Sequence, residues 1–150
     1  MRITIINTDR NEKRYSRVEL DEFVAQLADG TFRHQNTHDY SKEVCFAAEW
    51  VKQKGEVKAK SLSRLVLLSI ENLRDLPTVR EYKELAARQL YTLLCFIGHD
   101  GHSLHIVCSY EMTDGEPSDT SQLNAFRKYH YIYSSQLGTQ VADHAPTLET

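Results

Sequence analysis

The chain has 150 residues, of which 41% are hydrophobic and 26% charged. That is the size and composition of one ordinary globular domain, and it excludes a globally disordered chain. The net charge of −3 lacks the basic excess of a dedicated duplex-DNA binder, so nucleic acid is disfavoured on charge, although a local basic stripe can still act.

In chain order, Ile3–Ile6 is a β-branched run and predicts a first strand. Ser16-Arg17-Val18-Glu19 has the form of a capping box, in which the two side chains satisfy each other's orphan backbone donors. Leu20, Phe23, Val24 and Leu27 follow at the spacing of one helix face, and Gly30 can end that helix. Residues 31–43 are polar and predict a loop. Val44–Val51 fits a strand or a helix equally well, and the Lys54-Gly55 turn favours a hairpin returning through Glu56–Ala59.

Leu65–Ile70 is nearly all apolar, as a strand buried on both faces requires. Asp75 predicts an N-cap, Pro77 the first helical turn, and Val79, Tyr82, Leu85, Ala86 and Leu90 the buried stripe. Tyr91–Ile97 and Leu104–Tyr110 predict a long hairpin around the loop Gly98–Ser103. Leu123, Phe126, His130, Tyr133 and Leu137 mark a last helix closed by Gly138, with Tyr129 and Tyr131 on its exposed side. The short hairpin connections favour antiparallel pairing, hence an α+β domain over residues 1–138, followed by a frayed tail over 139–150.

The three cysteines, Cys45, Cys95 and Cys108, are widely spaced and include no CxxC pair. They predict free thiols in a reducing compartment. No apolar run approaches the roughly 18–20 residues that span a bilayer. The first residues turn polar after Asn7, too early for a signal peptide. A cytoplasmic protein without membrane contact is expected.

Several groupings could carry chemistry. His99, His102 and His105 stand three apart with Asp100 between them, a donor set that can hold a metal, although that spacing suits a helix and the two glycines oppose one. The bland alternative is a solvated hairpin loop. His105 lies on the strand, where an imidazole can meet a ligand on an open sheet face or be a packed histidine. Ser69 and Glu71 share a strand face; paired carboxylates there could hold Mg²⁺, but one position is serine, so Mg²⁺ would rest on Glu71 alone. Lys52, Lys54, Lys58, Lys60 and Arg64, beside Trp50, suit a single strand through charge and stacking, or simply form a solvated hairpin that guards a sheet edge.

SLSRLVLLSIENL (Ser61–Leu73), then a helix, then YTLLCFIGHDGHSLHIV (Tyr91–Val107), resembles the VirE-type N-terminal domain family, itself similar to the catalytic core of archaeo-eukaryotic primases. The resemblance implies an RRM-like fold. Ser69 and Glu71 fall on that family's D-x-D positions, Gly98–His105 on its glycine loop, and His105 on the basic residue that meets nucleotide phosphates. Phe126, Tyr133 and Leu137-Gly138 resemble the following helix, and Asp143 stands near the next acidic position. Ser69 replaces a metal-ligating aspartate, and a two-metal phosphoryl transfer needs several carboxylates. The resemblance therefore implies a degenerate, non-catalytic domain of a DNA-processing or mobile-element protein. It would bind nucleotide or single strands through His105, His102, Ser69, Glu71, Lys54 and Lys58. The rival expectations are a protein-interaction or structural domain without a ligand site, with a protein partner or adjoining domain, and a small metal-dependent hydrolase or metal-binding module using His99, His102, His105 and Asp100.

Overall fold

The computed structural model describes residues 2–29, 40–98, 101–112 and 115–143. Its α+β architecture has antiparallel pairing throughout the described sheets, as the short hairpins require. Where one domain is expected, the contacts divide the chain at Ser63/Arg64 into two compact units.

In the first unit, β1 (Arg2–Asp9) lies between β2 (Glu12–Glu19) and β3 (Tyr40–Cys45). Arg10 and Asn11 both take positive φ in the tight β1–β2 turn. The expected capping box is absent. Ser16 pairs across the sheet with Ile5, and Glu19 with Arg2, whose guanidinium it also meets at 2.9 Å. Cross-strand pairing along β1 wins over the local cap, and α1 (Leu20–Asp29) begins only afterwards, with Phe23 buried edge-on against Phe46. The segment that read equally as strand or helix becomes the end of β3, a two-residue break, and β4 (Ala48–Gln53). β4 pairs with β5 (Glu56–Leu62) around the expected Lys54-Gly55 turn, both residues at positive φ. The Thr4 hydroxyl donates to the Ala48 carbonyl at 3.1 Å and accepts from the Trp50 amide at 2.8 Å, tying β1 to this hairpin.

In the second unit, β8 (Leu104–Ser109) is the central strand between β6 (Leu65–Ile70) and β7 (Thr92–Ile97). Pairing of Val66 with Cys108, Leu68 with Ile106 and Ile70 with Leu104 places six apolar side chains on one face. That face packs on Val79 and Ala86 of α2 (Leu76–Ala87) and on Phe126, Tyr129, Tyr133 and Leu137 of α3 (Asp119–Leu137). At roughly 1.5–3 kcal/mol for each fully buried large apolar side chain, this layer dominates the unit's stability. α3 ends, as expected, on Gly138 in the left-handed region.

Two helix stripes need correction. Leu90 lies beyond the end of α2 and is 87% exposed, whereas Tyr129, expected outside, is 3% exposed and replaces Leu123 in the buried face of α3. The tail is docked as far as it is described. Val141 is fully buried, the Ala142 amide donates to the Ser69 carbonyl at 2.8 Å, and His130 Nε2 reaches the Val141 carbonyl at 2.9 Å.

Asp75 caps α2 by accepting from both the amide (2.9 Å) and the hydroxyl (2.6 Å) of Thr78. These bonds, the hydroxyl's first, hold the Asp75 carboxyl below its ordinary value. A depressed folded pKa contributes stability that is complete above the unfolded value and lost as the pH falls through the folded one. Stability to urea should therefore fall on acidification below about pH 4, and the Asp75→Asn variant should show less of that fall.

Candidate functional site

Of the residues singled out by sequence, Ser69, His102 and His105 gather at one end of the β6-β8-β7 sheet. Ser69, His105 and Phe96 form one row across β6, β8 and β7, on the face opposite the helices. Ser69 Oγ lies 2.9 Å from His105 Nδ1, and the Phe96 and His105 rings are 5.3 Å apart. Gly98 closes the arrangement, because a Cβ there would stand 1.9 Å from Ser103 Oγ and 3.1 Å from His105 Nε2. His102 links the loops: its carbonyl accepts from the Leu73 amide at 2.8 Å, and its Nδ1 meets the Leu73 carbonyl at 2.9 Å. His105 is thus held by a serine, an aromatic ring and a close backbone, the surroundings of an oriented, half-buried histidine.

Glu71 follows the end of β6 and is exposed, so it does not extend the paired row that carries Ser69. His99 and Asp100 lie outside the described residues. Among the described residues, no three His, Cys, Asp or Glu side chains gather as a metal would require. Lys52 and Lys54 are exposed on the β4–β5 hairpin, and Lys58 lies on β5. All three belong to the first unit, whereas Ser69, His102 and His105 belong to the second. Asp143 meets His130 Nε2 at 2.9 Å, so its place is at the docked tail.

The close fit at Gly98 makes a specific prediction. Gly98→Ala should cost about 1–3 kcal/mol, the usual effect of overpacking a filled site. Adding Ser103→Ala should restore part of that loss, because Ser103 Oγ is the nearest obstacle. A double-mutant cycle in urea unfolding measures the coupling; strictly additive losses would contradict the contact.

A second site, which sequence reasoning missed, lies at the other end of the same strands. About 740 Å³ of recess opens between the start of β7, the end of β8 and one face of α3. α3 contributes Ser121, Asn124, Ala125, Lys128 and Tyr129, spaced as one helical stripe. Tyr91 stands on the wall, 38% exposed. Its ring is 5.2 Å from that of Tyr129, and Lys128 Nζ lies 5.5 Å from its centroid. Tyr129 is anchored from below by donating to the Ser109 carbonyl at 2.7 Å. Burial raises its hydroxyl pKa, and Cys108, Tyr91 and Glu111 add to the effect. The register shift between Thr92 and Leu94 leaves Leu93 outside the ladder and 49% exposed at the rim. The weak sequence signal was the run of tyrosines in α3, in which periodicity assigned Tyr129 to the wrong side and Tyr131 and Tyr133 to the right ones.

A protein-family model, the BT4734-like N-terminal domain, matches residues 37–150. The chain belongs to the BT4734-like N-terminal domain family. This corrects the VirE-type and primase-like assignment, which rested on order and spacing with serine where the metal-ligating aspartate should be. The matched family is named as neither of those, and the D-x-D carry-over to Ser69 and Glu71 falls with the assignment. No curated protein and no solved structure matches the chain. The family match takes in the whole of the second unit, so both sites lie within the BT4734-like region. No helix among the described residues is long and apolar enough to cross a membrane.

Proposed function

We propose that this BT4734-like domain is a nucleotide-binding module and that the recess beside Tyr91 is its seat. The observation that carries the reading is the Tyr91 ring, part-exposed on the wall, braced by Tyr129 and accompanied by the Lys128 ammonium. An aromatic platform with a cation beside it suits a nucleobase with an attached phosphate. A volume of about 740 Å³ is of the size that encloses a small organic ligand.

The test is thermal unfolding of the chain with and without millimolar nucleoside monophosphates, since a ligand that binds only the folded state raises its stability. The wild type should gain Tm with at least one of them. Tyr91→Ala should weaken binding by about 1–3 kcal/mol, the usual worth of a base–aromatic stack. No shift with any nucleotide, or an unchanged shift in Tyr91→Ala, would end the reading.

A second reading, docking of another protein, is favoured by Leu90 and Leu93 at the rim. Exposed large apolar side chains gathered at one place mark interaction surfaces. If it holds, Leu90→Lys with Leu93→Lys should abolish any self-association seen by sedimentation.

A further inference from the structure

Resting on the nucleotide-binding reading, we infer that the recess takes a guanine-type nucleoside monophosphate rather than a triphosphate or a long strand. Two observations carry this: the charge of the described lining, and two hydrogen-bonding side chains in it that have no partner among the described residues.

Among the described lining residues, Lys128 is the one cation and Glu111 the one carboxylate. They make no ion pair with each other, and neither the Glu111 nor the Asn124 side chain has a hydrogen bond among the described residues. Ser121 is not available in the same way, because its hydroxyl is engaged in the capping box of α3 and lies 3.3 Å from Tyr110 Oη. One ammonium can balance one phosphate. Further phosphates would sit among described residues that offer a carboxylate and no second cation, which disfavours a triphosphate and also a strand that needs several phosphates neutralised.

The base is selected by the other two groups. A carboxylate only accepts hydrogen bonds, and an amide both donates and accepts. With the base stacked on Tyr91, a carboxylate at its edge favours a ring that presents adjacent N–H donors, and the Asn124 amide can donate to a neighbouring carbonyl. Guanine has that donor–donor–acceptor edge. Adenine places a ring acceptor where guanine has a donor, so it loses the pair of adjacent donors that a carboxylate accepts.

The experiment is calorimetric titration of the full chain with GMP, AMP, GTP and guanosine. The wild type, Glu111→Gln and Lys128→Gln are compared; both substituted residues are exposed, so folding should be preserved. GMP should bind at least tenfold more tightly than AMP and more tightly than GTP. Glu111→Gln should bring GMP and AMP close together, and Lys128→Gln should reduce GMP affinity to that of guanosine. If nucleotides bind with equal affinity across bases, or GTP binds most tightly, this inference fails while the nucleotide-binding reading stands. If no nucleotide binds at millimolar concentration, both fall together.

Discussion

Tyr133→Ala is expected to cost about 4 kcal/mol of folding stability, the range found when a large buried ring is truncated. A domain's whole stability is about 5–15 kcal/mol, so the variant should be largely unfolded under mild denaturant. The expectation rests on position as well as size. Tyr133 is fully buried, its ring meets Tyr129 edge-on at 6.4 Å, and its hydroxyl lies 2.6 Å from Thr92 Oγ1, which donates in turn to the Ala86 carbonyl. One side chain therefore joins α3, the start of β7 and the end of α2. Tyr133→Phe should cost only about 1 kcal/mol, the net worth of one hydrogen bond. Urea unfolding separates the two as shifts in midpoint at unchanged slope. A loss below about 1 kcal/mol for Tyr133→Ala would show that this ring is not what holds the three elements.

The same region makes the fold sensitive to alkali. Burial pushes the Cys108 thiol up to about 11, and burial raises the Tyr133 hydroxyl as well. A folded-state pKa above the unfolded one contributes stability that is complete below the unfolded value and lost as the pH rises through the folded value. For Cys108 the window runs from its ordinary value of 9.0 to about 11. Cys108→Ala should flatten that part of the pH–stability curve.

Val141→Asp should cost about 4 kcal/mol, because it leaves an unpaired charge in an apolar layer. Val141→Ala, which removes about two methylene equivalents, should cost about 2 kcal/mol. Val141 is fully buried against the layer that holds Leu68, Ile106 and Tyr133, and its neighbour Ala142 is bonded to the Ser69 carbonyl on β6. A frayed tail would make both substitutions nearly neutral, so thermal unfolding of the pair decides the matter directly.

Val141 also shows where reading along the chain stops. Nothing near it repeats, since Thr139, Gln140, Ala142 and Asp143 surround it with small and polar residues. Periodicity detects an element by its own repeated pattern, and a single apolar residue that fills a gap left by distant elements has none. The capping box at Ser16–Glu19 failed for the related reason that a local motif competed with a neighbouring strand. Two cross-strand partners on β1, Ile5 and Arg2, claimed Ser16 and Glu19 instead.

At the candidate sites the same division holds. Ser69 and His105 were readable as strand residues, since alternation along LVLLSI and LHIVC assigns each to a face. That they stand directly opposite each other, with Phe96 completing the row, depends on register, which only the paired strands set. The recess left only the tyrosines of α3 as a trace in the sequence. It needs α2 to stop at Ala87, Leu93 to fall out of the ladder, and Tyr129 to turn inward under Tyr91.

By itself the sequence determined the α+β class, the two apolar strands, the Asp75 cap, the Lys54-Gly55 turn and the glycine stop of α3. Each depends on residues within a few positions of one another, where backbone sterics and local hydrogen bonds decide. Only the tertiary structure decided the order β6-β8-β7, the docking of Val141 and the recess that Tyr91, Lys128 and Glu111 line together. Those depend on burial shared among distant segments, and burial is a property of the packed layers rather than of any one stretch of chain.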